Sequence, residues 1–354
     1  MRGDRGAGPP GAGLRARPRE PREPREAATA VSEALRRRPP EVLRPYVAWY
    51  SGYRQAGLAP ARHRGLPSPY LTLIVTLDEP VCVAAHPDPR QAASRHDVLI
   101  GGLHTSPAVI THQGSQSGIQ LGVTPLGARA LLGLPAGKLA GLDLDGADVL
   151  GALAAELHER VRAAGTWAER FTVLDTLLSR RAVKGEGKAG GGRARGAAPP
   201  AAADPRHAMR PEIAHAWQTL LATGGGVSVS DLARETGWTS RHLSAQFRAE
   251  TGLSPKAAAR VVRFDRARRL LQRRMAAGGA PALAALAAAC GYYDQAHLAR
   301  EFRGLAGCAP SRWLAEELPA LSRAADALPA GRWLAAEFRN VQAATPAAGE
   351  GSLP

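Results

Sequence analysis

Apolar and polar positions change rhythm twice along this chain. In the first third, short runs such as YLTLIVTL from Tyr70, DVLIGGLH and SGIQLGV are β-branched with partial alternation, and EVLRPYVAWYSGYR ahead of them is rich in aromatics. Gly and Pro clusters punctuate these runs, which predicts a sandwich or barrel of short antiparallel strands. After Thr124 the apolar spacing becomes three and four. LGARALLGL, DVLGALAAELHERVRAAG and AERFTVLDTLLSRR each carry one apolar stripe and predict amphipathic helices. An α+β domain over 39–182 follows from this pattern. Residues 1–38, rich in Arg, Gly, Pro and Glu with repeated PRE triplets, have no periodicity to offset the entropy of ordering and are expected to be disordered. A Gly/Ala/Pro-rich stretch over 183–208 reads as a flexible linker. A second domain is expected over 209–318, and a tail containing AEFRNVQ over 319–354.

Within the second domain one pattern is written twice. RHLSAQFR starts at Arg241 and AHLAREFR at Ala296, so HLxxxFR recurs at His242 and His297. The match extends outward. Each copy has Leu-Ala, then Gly with an aromatic (Gly237-Trp238, Gly291-Tyr292), then HLxxxFR, then Gly and Pro. The second copy has one more residue before its histidine. In each copy a short helix is predicted to end at the glycine, and a second helix to start at a cap, Thr239 or Ser240 in the first copy and Asp294 in the second. Leu243 and Phe247, like Leu298 and Phe302, stand four apart and share the buried face. Arg241, Ser244, Ala245 and Arg248 then face outward in one copy, and Gln295, Ala296, Ala299, Arg300 and Arg303 in the other. This is a pair of helix-turn-helix units. Between them SPKAAARVVRFDRARRLLQRR predicts one long helix with Val261, Val262, Phe264 and Leu271 inward and arginines on the rest.

Charge gives these outward faces a partner. A formal net charge of +15 over 354 residues favours a polyanion, nucleic acid before an anionic membrane surface. Small outward residues let a helix approach base edges in a major groove about 12 Å wide. Arg300 can pair bidentately with guanine and Gln295 with adenine, with Arg241 in support. No apolar run approaches the roughly 18–20 residues of a membrane span, and the opening MRGDRGAGPPG lacks the apolar stretch of a signal peptide, so a cytoplasmic protein without a membrane partner is expected.

The double unit and its connecting helix resemble the AraC/XylS family of bacterial transcription regulators. GYYDQAHLAREFRGLAGCAPSRW from Gly291 is the strongest piece, and the resemblance covers about 210–316. The family's base-reading positions fall on Arg241, Ser244 and Ala245 and on Gln295, Ala296, Ala299 and Arg300. Ser240, His242, Arg248, His297 and Arg303 complete the DNA-binding set, with the two histidines at positions that approach the backbone. RPYVAWYSGYR, RHRGLPSPYLTLIVTL, GGLHTSPAVI and TPLGARALLGLPAGKLAG are similar to the sensor half of some members. The resemblance implies a small antiparallel, cupin-like β-barrel with flanking helices, which binds an effector or dimerises, ahead of an all-α double helix-turn-helix domain. It also implies promoter DNA and RNA polymerase as partners, with an activator, a small-molecule effector and a homodimer as the family pattern.

Other chemistry is weaker. His63, His86, His96, His104 and His112 invite a metal, but no HxH pair occurs, so they are read as structural or surface residues and no cofactor is assigned. Trp49, Tyr50, Tyr53 and Tyr70 are candidates for lining an effector cavity. Cys82, Cys290 and Cys308 stand singly and are read as reduced. GxSxG, GxxxxGK[ST] and HExxH are absent, so no enzyme is expected. The alternatives are an enzymatic or ligand-binding first domain tethered to nucleic acid, and an adaptor that docks protein on the outward helices.

Overall fold

A computed structural model describes Met1, residues 31–187 and residues 209–317. The described part of the first domain holds strands β1 (Val31–Arg37), β2 (Val47–Ala56), β3 (Ala61–Gly65), β4 (Leu71–Thr76), β5 (Val81–Ala85), β6 (Ser94–His96), β7 (Val98–Gly101), β8 (Ala108–His112), β9 (Gln116–Val123) and β10 (Asp143–Asp145). They form a six-stranded sheet in the order β1-β2-β9-β4-β7-β10 and a four-stranded sheet in the order β3-β8-β5-β6. The runs starting at Tyr70, Asp97 and Ser117 supply β4, β7 and β9. The architecture is α+β as the pattern predicts, but the barrel is not closed, because among the described residues no ladder joins the two sheets. Side chains stitch one end instead. His86 Nδ1 lies 2.9 Å from Asp143 and His96 Nδ1 3.2 Å from Asp145, while the Ser94 hydroxyl bridges the two rings at 3.0 and 2.7 Å. β6 and β10 spend their three residues each on ladders within their own sheets, to β5 and β7.

One boundary differs from the composition-based expectation. Disorder was expected through residue 38, yet β1 pairs along its whole length with β2, from Val31 opposite Ala56 to Arg37 opposite Tyr50. Sheet pairing with an already buried neighbour orders a segment whose own composition could not. The remainder of that extension, linker residues 188–208, and tail residues 318–354 with AEFRNVQ lie outside the described residues. The helix reaching Gly187 takes in the start of the expected linker.

Helices α1 (Pro125–Gly127), α2 (Gly146–Leu150), α3 (Ala152–Ala163) and α4 (Trp167–Gly187) complete the first domain, α1 continuing as a π-turn over Ala128–Leu132. Phe171 of α4 stacks on Tyr50 with ring centroids 6.0 Å apart. A Cβ on Gly52 would lie 2.7 Å from the Trp167 ring, so the glycine lets the helix sit against the sheet.

The second domain comprises α5 (Pro211–Ala222), α6 (Val229–Thr236), α7 (Ser240–Thr251), α8 (Pro255–Ala276), α9 (Leu283–Ala289) and α10 (Gln295–Ala306), followed by helical residues 310–317. At 1.5 Å per residue, α8 is roughly 33 Å long. The two domains share one continuous apolar core. Arg129 of the π-turn forms a bidentate pair with Glu250 at the end of α7, at 2.6 and 2.7 Å. The 3₁₀ turn Ala136–Lys138 fits beneath α7 so closely that a Cβ on Gly137 would stand 2.4 Å from the Ala249 carbonyl. On the other side Arg64 pairs with Glu316 and donates its amide to Glu317 at 3.3 Å.

Glu250 is only 8% exposed, so removing its cation leaves a buried carboxylate unpaired. Arg129→Met is expected to cost about 2–3 kcal/mol in urea denaturation. The same change in a Glu250→Gln background should cost distinctly less, because the residue left behind is neutral. Equal costs in both backgrounds would show that the pair does not matter.

Candidate nucleic-acid interface

Both helix-turn-helix units cap and end their outward helices alike, while only the first caps its leading helix with a side chain. The Ser228 hydroxyl caps α6 by accepting from the Asp231 amide at 3.1 Å, and Gly237 at φ +70° ends that helix. Thr239 caps α7 by accepting from the His242 amide at 3.2 Å, which resolves the choice between Thr239 and Ser240. In the second unit Asp294 caps α10 by accepting from the His297 amide at 2.6 Å. Glycines in left-handed geometry, Gly252 at φ +81° and Gly307 at φ +73°, stop the two outward helices.

Packing holds each helix by its back. Leu243, Phe247, Leu298 and Phe302 are fully buried. Phe247 lies against Trp217 of α5 at 5.8 Å, whereas Phe302 sits between Phe264 of α8 at 5.0 Å and Trp313 at 5.6 Å. The aromatic after each turn glycine meets the motif histidine edge-on, Trp238 with His242 at 4.6 Å and Tyr292 with His297 at 5.3 Å. The repeated Gly-aromatic and His therefore form one unit that fixes the histidine at the helix start. Sequence reasoning missed Trp217 and Trp313 as anchors, since each lies outside the repeat.

The fronts are open. Ser240, Arg241, His242, Ala245 and Arg248 are exposed and Ser244 is half-buried; Gln295, Ala296, Arg300 and Arg303 are exposed, with His297 and Ala299 half-buried. Among the described residues, no carboxylate pairs with the side chains of Arg241, Arg248, Arg300 or Arg303.

The arginines of α8 differ from the solvated face expected of them. Arg260 pairs with Glu301 of α10 at 2.7 Å, and Arg263 donates to the Gly225 carbonyl at 2.9 Å and lies over the Tyr292 ring at 5.5 Å. Arg268 and Arg269 both hold the buried Asp265, at 2.6 and 2.7 Å, and keep its carboxyl below the usual range despite the opposing effect of burial. Arg274 donates to the Ala282 carbonyl at 3.2 Å. Arg260, Arg263 and Arg274 thus tie α8 to neighbouring elements and Arg268 and Arg269 serve a buried carboxylate of their own helix, whereas Arg241, Arg248, Arg300 and Arg303 stay open on α7 and α10.

Between the two sheets lies a cavity of about 790 Å³. Trp49 and Tyr53 line it, but Tyr50 and Tyr70 do not. Strand alternation explains the first pair: Trp49 and Tyr53 share one face of β2, while Tyr50 points to α4. Arg268 and Gln272 of α8, with Trp313 and Glu317, close the cavity from the second domain. His63, His104 and His112 also line it, and burial with the neighbouring His112 pushes the His63 imidazole down to about 4. Among the described residues no three His, Cys, Asp or Glu side chains converge on a common metal position. The cysteines are free, and burial pushes the Cys290 and Cys308 thiols up, away from reactive thiolates.

A helix-turn-helix domain model matches residues 213–316. The C-terminal domain is an AraC-type helix-turn-helix domain. The matched residues run from α5 to the helix after α10, so both helix-turn-helix units fall inside the match. A domain of unknown function (DUF6597) matches residues 35–145. ToxT from Vibrio cholerae O395 is similar in structure at 11% identity, covering 75% of this chain and 96% of that one, with a TM-score of 0.43. Unsaturated fatty acid bound ToxT from V. cholerae strain SCE256 gives 9%, 82%, 97% and 0.42 for the same measures, and the AraC-like transcriptional activator CuxR gives 15%, 68%, 86% and 0.25. No curated protein matches the chain. Among the described residues no helix is long and apolar enough to cross a membrane.

The division of arginines is open to test by stability alone. Arg260→Ala is expected to lower unfolding free energy by about 1–2 kcal/mol, since Glu301 loses its nearest partner and keeps only the longer contacts to His297 and Arg263. Arg303→Ala should stay within about 0.5 kcal/mol of the parent. Equal losses in thermal or urea unfolding would contradict the division.

Proposed function

We propose that α7 and α10 enter the major groove of operator DNA about one helical turn apart, with α8 setting their separation. The observation that carries this reading is the pair of exposed fronts bearing arginines with no carboxylate partner among the described residues, on helices whose Leu and Phe anchors are fully buried. Arg300 and Gln295 read base edges, supported by Arg241, and Ser244, Ala245, Ala296 and Ala299 keep the approach close. Ser240, His242, His297, Arg248 and Arg303 set register through phosphates. The first domain senses an effector in the cavity between its sheets. Residues of α8 close that cavity, which gives an occupant direct contact with the helix connecting the two reading heads. Trp49 and Tyr53 supply its aromatic wall.

Selection of bound duplexes from random DNA, followed by titration over a range of salt, tests the reading. Arg300→Ala should cost about 1–3 kcal/mol at the selected site and relax one base position. Arg248→Ala should weaken selected and random duplexes alike and reduce the slope of log K against log salt by about 1. Affinity insensitive to salt would favour protein docking on these helices. Equal losses for Arg300→Ala on selected and random DNA would remove its assignment as a base reader.

A further inference from the structure

The two units are not identical at the entrance to their outward helices. From turn glycine to cap takes two residues in the first, Gly237 to Thr239, and three in the second, Gly291 to Asp294. Both caps accept from the amide three residues on, so helix geometry restarts in the same way. Trp238 and Tyr292 are counterparts, since each ring meets its unit's histidine edge-on. The residue without a counterpart is Tyr293.

Its surroundings are well defined. The Tyr293 amide donates to His297 Nδ1 at 3.3 Å, which fixes its backbone beside the first turn of α10. Tyr292 is 4% exposed and turns inward, whereas Tyr293 is 93% exposed and turns outward. Among the described residues its ring has no aromatic, cationic or hydrogen-bonding partner. An exposed aromatic side chain at this point covers no core and caps no helix. It stands next to Gln295 and Ala296, at the end of the helix that meets base edges in this class of motif.

We infer that Tyr293 is a specificity-determining residue that packs its ring against a thymine methyl group in the half-site bound by α10. The methyl is the apolar feature of the major-groove edge of a base pair, and an exposed aromatic ring is a suitable surface for it. The first unit, lacking the extra residue, has no equivalent contact. This inference rests on the DNA-binding reading above.

The test uses the full-length chain and the duplex it selects, with each thymine in turn replaced by deoxyuridine, which removes only the methyl. One position in the α10 half-site should lose about fourfold in affinity, the transfer free energy of one buried methyl. Tyr293→Ala should retain selective binding and its Tm but no longer distinguish thymine from deoxyuridine there. Tyr293→Phe should still distinguish them, because the ring and not the hydroxyl makes the contact. Discrimination that survives Tyr293→Ala, or is lost in Tyr293→Phe, would overturn the inference while leaving the DNA-binding reading intact. A Tyr293→Ala protein with unchanged DNA selectivity but altered transcription would also overturn it, in favour of a protein partner. If the parent chain selects no duplex, both readings fall.

Discussion

Burial of one phenylalanine behind each outward helix is the constraint on which the second domain depends. A helix of twelve residues is marginal by itself in water, so α7 and α10 hold their geometry through tertiary packing on one stripe. Phe247 and Phe302 supply that stripe, and the anchors that receive them differ. Trp217 comes from the start of the domain, whereas Phe264 and Trp313 flank Phe302 from the connecting helix and from the segment beyond α10. Both fronts remain available to a partner because each back is held in this way.

Electrostatics divides along the same line. A strongly basic chain could spread its charge evenly and bind any polyanion weakly. Here several guanidiniums of α8 are committed, some to Asp265 within the helix and others to Glu301 of α10 or the Gly225 carbonyl. Cations on α7 and α10 face water. A partly buried, hydrogen-bonded arginine is held in one geometry, while an unpaired exposed one keeps its full capacity for phosphate or guanine. Net charge therefore overstates the number of arginines available to DNA.

The first domain contacts both ends of this arrangement. Arg129 and the turn at Ala136–Lys138 hold the end of α7, while Arg64 reaches Glu316 and Glu317 beyond α10. Asp143, which lines the cavity, lies a few residues past that turn and is clasped by Gln91, whose side chain meets its carbonyl at 2.8 Å and its amide at 3.1 Å. The cavity wall and the seat of the first outward helix are thus built on one short stretch of chain.

Local rules determined much of this from the sequence. The repeat fixed the helix-turn-helix pair, because apolar residues four apart and glycines at helix ends act over a few residues. The strand runs β4, β7 and β9 and the outward residues of α7 and α10 were legible for the same reason. Long-range contacts decided the rest. Composition could not reveal that β1 is ordered, since its pairing partner lies beyond it in the chain. Periodicity could not separate tied from free arginines on α8, because Glu301 and Gly225 reach them only in the folded state. Trp49 and Tyr50 were both expected at the cavity, but they lie on opposite faces of β2, and the packed helix α4 takes Tyr50 while Trp49 looks into the cavity. Likewise the extra residue before His297 was visible in the sequence, whereas its emergence as an exposed ring depends on Tyr292 having taken the buried place.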